Sequence, residues 1–211
     1  FAQACNDLAV GHWRRKNLKE AEKYAARAAA IGETGRGKEA SRVVWMGVHG
    51  MIADAYGRTL CGVEKEKMQS LAVRRGQAAA ILCSRVFGRI SREFATQIVR
   101  LGVLRAHQGQ WSLAITLKGR ALTISRRALG PADPETANSL NHLGIALLQS
   151  GRCRIGYRGA RTLDLLREAL AIREQVFTDN FHHPDRIDSA RWVAIAILAL
   201  ADLGDPEADP A

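Results

Sequence analysis

The chain repeats itself, and this limits what it can fold into more than any other feature. Between Ala79 and Phe177, a shift of 42 residues lays small and apolar residues on their like. Ala79 falls on Ala121, Leu82 on Ile124, Phe87 on Leu129 and Gly88 on Gly130. The match continues with Glu93 on Glu135, Ala95 on Ala137, Leu101 on Leu143, Gly102 on Gly144, Val103 on Ile145 and Gly109 on Gly151. A unit of this length is one supersecondary element that cannot bury its apolar face alone, so copies stack and complete a shared core.

The spacing within each unit is helical. Residues 1–31 read as two helices separated by Arg14-Arg15-Lys16-Asn17, the second with Leu18, Ala21, Tyr24, Ala25 and Ala28 on one face. Gly32, Gly35 and Gly37 then mark a loop, Ala40 to Tyr56 resumes a helical pattern, and Gly57 and Gly62 bracket a second break. Further helices are expected over Met68–Phe87, Phe94–His107, Trp111–Leu129, Thr136–Gln149, Leu163–Phe177 and from about Asp185 to Leu203. No stretch alternates apolar and polar residues between turn signals, so no strand is expected.

Charge is distributed unevenly. The net charge is +10, yet Lys67 to Arg127 holds twelve basic residues and one acid, Glu93. Such a window serves either as an ordinary solvated helix surface or as a face for a polyanion. Candidates for the second role are Arg85, Arg89 and Arg92, which fall within two turns, although Gly88 is expected to interrupt the helix there. A second group is Arg152, Arg154, Arg158 and Arg161, in an acid-free segment with Gly151, Gly156, Gly159 and Tyr157.

Several chemistries lack their residues. Cys5, Cys61, Cys83 and Cys153 are far apart with no C-x-x-C, which suits buried, reduced thiols better than zinc or redox sites. His182-His183 with Asp185 lacks further ligands at metal spacing, so no metal is expected, and nothing calls for a cofactor. No serine, cysteine or histidine sits in a nucleophile elbow, and Gly35-Arg36-Gly37-Lys38 lacks phosphate-loop spacing, so no enzyme is expected. No secretory pattern is visible, and the longest apolar run, Trp192 to Ala201, is too short to span a bilayer, so a cytoplasmic protein is expected with no membrane partner. The chain enters a helical pattern directly at Phe1 and reads as a piece of a longer protein.

Leu140-Asn141-His142-Leu143-Gly144, then Gly151, then Leu166-Arg167-Glu168-Ala169-Leu170-Ala171-Ile172-Arg173-Glu174-Gln175-Val176-Phe177, then His183-Pro184-Asp185 resembles the tetratricopeptide repeat, in the 42-residue form of kinesin light chains. Leu101-Gly102 with Ala121-Leu122-Thr123-Ile124, and Leu8-Ala9 with Ala21 and Ala28, resemble earlier copies. The likeness is fullest over 91–203, partial over 1–31 and least over 39–66, where the first helix of the second repeat is out of register. The resemblance implies an all-α, right-handed solenoid of antiparallel helix pairs over 1–204, weakest at 32–66, with an insertion at 152–161 and a frayed tail at 205–211. It also implies a scaffold that takes a peptide or protein segment on the concave side, lined by the first helix of each pair. Motif positions facing that groove map to Gln3, Asn6, Thr96, Arg100, Asn138, Asn141, Asp188 and Arg191. Binding of RNA or another polyanion through 67–127 and 152–161 is the alternative.

Overall fold

The computed structural model describes residues 1–34, 38–152 and 161–203. Among the described residues there are nine α-helices and no strand. They are α1 (Ala2–Arg14), α2 (Leu18–Glu33), α3 (Glu39–Gly57), α4 (Gly62–Val86), α5 (Arg92–His107), α6 (Trp111–Leu129), α7 (Pro134–Gln149), α8 (Thr162–Val176) and α9 (Pro184–Ala201). The expected insertion and tail, including Arg154 and Arg158, lie outside the described residues apart from Arg152 and Arg161.

The helix ends follow the repeat. Gly88, Gly109, Gly130 and Gly151, each 21 residues after the last, all have positive φ and close α4, α5, α6 and α7. A residue without Cβ adopts that left-handed geometry without the clash that other residues meet. Two starts share another device. Asp133 caps α7 by accepting the Glu135 N–H at 2.8 Å, and His183 caps α9 by accepting the Asp185 N–H at 3.3 Å. In both, a proline follows in the first helical position, where the missing N–H costs nothing.

One boundary departs from expectation. Helix α4 begins at Gly62, six residues before the predicted Met68. Its opening turns, Glu64-Lys65-Glu66-Lys67, are exposed on every side and carry no apolar face for periodicity to detect. Glutamate and lysine are good helix formers, so local preference extends the helix there.

The chain divides into two compact units, Phe1–Arg89 with Thr96–Gln110, and Ile90–Ala95 with Trp111–Ala211. In the first, α1 to α4 pack in succession and α1 also meets α3. Its core includes Ala9, Ala21, Ala25 and Ile52, and a second cluster of Ala2, Cys5, Ala28 and Trp45. In the second, α6 to α9 pack in succession and α7 also meets α9. Leu140, Leu143, Leu147, Leu165 and Ile172 fill its centre, and Leu163, Leu166, Ala196 and Leu200 join α8 to α9.

Every second helix carries two small or short residues seven positions apart: Ala21 and Ala28, Ala72 and Ala79, Ala114 and Ala121, Thr162 and Ala169. None is more than 1% exposed. Seven residues are two turns, so each pair lies on one stripe and sets how near a neighbouring helix can come. The first helices show the same economy. A Cβ on Gly144 of α7 would lie 2.6 Å from Leu166 of α8. One on Gly50 of α3 would lie 3.0 Å from the Ala72 carbonyl oxygen of α4.

The period returns in side-chain pairs. Trp45 Nε1 of α3 donates to Gln3 Oε1 of α1 at 3.3 Å, 42 residues away. Arg75 of α4 reaches Glu33 of α2 at the same separation, and Arg126 of α6 grips both carboxylate oxygens of Glu168 in α8 at 2.6 and 2.8 Å. Among the described residues no helix is long and apolar enough to cross a membrane.

Candidate functional site

Four groove candidates come together in the second unit, on α7 and α9, around Arg173 of α8. Arg173 is 4% exposed. Its guanidinium donates to the Asp185 carbonyl oxygen at 2.7 Å and to Ser189 Oγ at 2.5 Å, and it also bonds Asn138 Oδ1. Burial draws its pKa below the usual arginine value, against the pull of Asp185, Asp188 and Glu135. Nearby, Asn141 Nδ2 donates to Asp188 Oδ2 at 3.4 Å, and Arg191 donates to the other oxygen of Asp188 at 2.6 Å. Asn141, Asp188 and Arg191 thus form one polar chain, and Asn138 joins a second group around Arg173. Asn141 is buried, and among the described residues its carbonyl oxygen has no hydrogen-bond partner.

Two further groups belong to this region. Burial lowers the His142 pKa to about 4, reinforced by the charges of Lys118 and Arg173 and opposed by Asp188, so the imidazole is neutral at physiological pH. Lys118 of α6 is 3% exposed, and burial lowers its ammonium to about 8.

In the first unit, Gln3 donates to Asp7 at 2.8 Å while accepting from Trp45. Asn6 is buried, and its carbonyl oxygen, like that of Asn141, has no partner among the described residues. Asn6 and Asn141 hold the same place in their repeats, three residues before the small residue Ala9 or Gly144. Thr96 and Arg100 are half-buried on α5. Gly47 of α3 leaves room for Gln97 and Arg100, since a Cβ there would lie 2.8 Å from Gln97 Oε1 and 3.1 Å from Arg100 Nη1.

The arginines proposed for a polyanion do not share one helix. Arg85 lies in the last turn of α4, Arg89 in the turn beyond Gly88, and Arg92 opens α5, where it pairs with Asp133 at 3.3 Å. Arg152 donates to Ser112 Oγ at 3.0 Å, and Arg161 stands at the N-cap of α8. Elsewhere in the basic window, Arg75 and Arg126 are paired with glutamates and Lys118 is buried.

Among the described residues, no three His, Cys, Asp or Glu side chains cluster as metal ligands do. His183 instead serves as the α9 cap and stacks on Phe177 at 3.6 Å between ring centres. Sequence reasoning missed the buried roles of Arg173 and Lys118. The available signal was alignment of the second helices: Lys118 stands where the other three carry Ala25, Gly76 and Leu166.

The tetratricopeptide-repeat family profile matches residues 1–39 and again residues 93–154. No curated protein matches the chain by sequence. Solved structures match it in shape. The kinesin-light-chain-type TPR-like repeats of Podosopora anserina give a TM-score of 0.71 at 18% identity, covering 98% of this chain and 90% of that one. A single-substitution variant of those repeats gives 0.72 at the same identity and coverage. BtubC (BKLC) of P. vanneervenii gives 0.73 at 17% identity, covering 98% of this chain and 75% of that one. Repeats of this kind generally mediate protein–protein interaction. With nine helices among the described residues, small residues at fixed places in every pair and these matches, the chain has an all-α repeat fold like that of kinesin-light-chain-type repeats, and two stretches of it match the tetratricopeptide repeat.

Proposed function

We propose that the protein is a non-catalytic, cytoplasmic interaction scaffold whose first helices take up an extended peptide or protein segment. The observation that carries this reading is that Asn6 and Asn141, at the same place in two repeats, each have a buried carbonyl oxygen with no partner among the described residues. A buried acceptor left without a donor costs free energy, and a turn of either side-chain amide towards a bound backbone N–H would satisfy it. On α7 and α9, Asn141 stands beside Asp188 and Arg191, so an amide and an ion pair are offered together, with Asn138 one turn before Asn141. Gln3 and Asn6 on α1, and Thr96 and Arg100 on α5, are the corresponding candidates in the first unit.

The test is a randomised peptide library selected on the purified protein. Selected peptides bind the wild type and lose about tenfold or more in affinity on the Asn138→Ala, Asn141→Ala double variant, with helical circular dichroism unchanged. Equal affinity for the two proteins rejects this surface as the binding site.

A further inference from the structure

An open surface cavity of about 380 Å³ lies in the first unit, between the front half of α4 and the end of α5 with its following turn, and Glu66, Ser70, Arg74 and Gln110 of its lining are exposed. Its walls include Gln69, Ser70, Val73 and Arg74 from α4, and Arg105 and Gln110 from the other side. One period later, the second unit holds the corresponding residues, and there a tryptophan and a leucine stand for a glutamine and an arginine, and an isoleucine for a valine. Gln69 becomes Trp111, Val73 becomes Ile115 and Arg105 becomes Leu147. Ile115 and Leu147 belong to one packed core, with Leu147 only 1% exposed. At these three positions the next repeat is more apolar, while Ser112, Thr116, Ser150 and Arg152 keep the other corresponding positions polar.

The lining of the cavity is rich in donors. Arg105 Nη1 donates to Gln110 Oε1 at 2.9 Å and to Gln108 Oε1 at 3.3 Å, while Gln108 Nε2 donates to the Gln69 carbonyl oxygen at 3.2 Å. These bonds fix the Arg105 fork and turn both glutamine carbonyls towards it. The Gln110 amide N–H groups then point away from that fork as further donors. Arg105 Nε is buried and has no partner among the described residues. Arg74 and Ser70 add a guanidinium and a hydroxyl, and Glu66 is the only acid in the lining.

We infer that this cavity binds a phosphoryl group. The Arg74 guanidinium, the Arg105 N–H groups not already engaged, a hydroxyl and an amide offer more donors than the two oxygens of a carboxylate can accept, whereas a phosphoryl group has three or four oxygens to share. The volume leaves room for the molecule that carries the phosphoryl group. That molecule is either a small free phosphate compound or a phosphorylated side chain of a protein. The inference rests on the first unit alone and is independent of the peptide-binding reading on α7 and α9.

The experiment is a titration of the purified protein, followed by amide NMR shifts, with inorganic phosphate and separately with a phosphoserine peptide and its unphosphorylated form. Phosphate shifts Ser70, Arg74 and Gln110 saturably, and Arg74→Gln, at an exposed site, weakens the response about tenfold or more. Gln69→Trp restores the residue of the next repeat, closes the cavity and abolishes the response while the melting temperature is kept or raised. Tighter binding of the phosphopeptide than of phosphate, with none by the unphosphorylated peptide, identifies a protein source; equal binding identifies a free compound. An absence of saturable response to both phosphate and phosphopeptide overturns the inference. So does a response that survives Arg74→Gln and Gln69→Trp unchanged.

Discussion

The helix pairs α3–α4 and α7–α8 solve one packing problem from opposite directions. In α7–α8 the glycine sits on the first helix and the filler on the second, since Gly144 makes room for Leu166, which is fully buried. In α3–α4 the second helix carries the glycine at the equivalent place. A Cβ on Gly76 would lie 2.9 Å from the Leu104 side chain of α5, so the filler comes from the following helix. The same pair also brings backbone against backbone at Gly50 and Ala72. A repeat thus preserves the volume it fills rather than the residue that fills it, and Lys118 in α6 is a third occupant of that place.

The largest test of this contrast is Leu166→Ala. It removes a filler from a fully buried site and lowers stability by about 2–5 kcal/mol, measured by urea unfolding. Gly76→Ala adds a methyl against the flexible end of Leu104 and costs less, about 1–3 kcal/mol. Equal losses would break the contrast.

Lys118→Leu sharpens it. The Lys118 ammonium is held near 8 against an ordinary 10.5. Between those values the unfolded chain keeps a proton that the folded chain has lost, so stability rises as pH rises through this window and is lower below it. Lys118→Leu abolishes that rise and raises stability at neutral pH by on the order of 1–3 kcal/mol, read from thermal melts at a series of pH values. His142, held near 4 against 6.5, has the same sign at acid pH. Its contribution is complete above 6.5 and is lost as pH falls through about 4, and His142→Gln flattens that limb. Melts of the wild type that are level in both windows would contradict these assignments.

The smallest effect concerns the turn between α1 and α2. There Lys16 takes the left-handed conformation, φ 61°, that Gly109 and Gly151 take in later pairs. Lys16→Gly relieves that strain and raises the midpoint of urea unfolding, with a gain in stability of up to about 1 kcal/mol. An unchanged or lower midpoint would show that the lysine is held there at no cost.

The sequence disclosed the architecture because glycine spacing and apolar faces repeat. The turns at Gly88, Gly109, Gly130 and Gly151, and most helix bounds, could be read in one dimension. The start of α4 could not, since Glu64 to Lys67 have no buried side to reveal a period. The candidate site was proposed from the motif alone, at Asn138, Asn141, Asp188 and Arg191. Arg173, which bonds Asn138, looks like any helix arginine until α7 and α9 close over it. Lys118 is hidden for the same reason. Whether a long cationic side chain is solvated depends on which helix lies above it, and that is a three-dimensional fact.

The evenly spaced left-handed glycines also bear on how such a gene can change length. An in-frame gain or loss of 42 codons beginning after Gly88 joins one such glycine to another, so every later helix still ends where it should. Unequal recombination within this stretch therefore yields reading frames whose local punctuation is already correct, and a gene of this kind acquires or sheds whole units more readily than it tolerates a shift of a few codons.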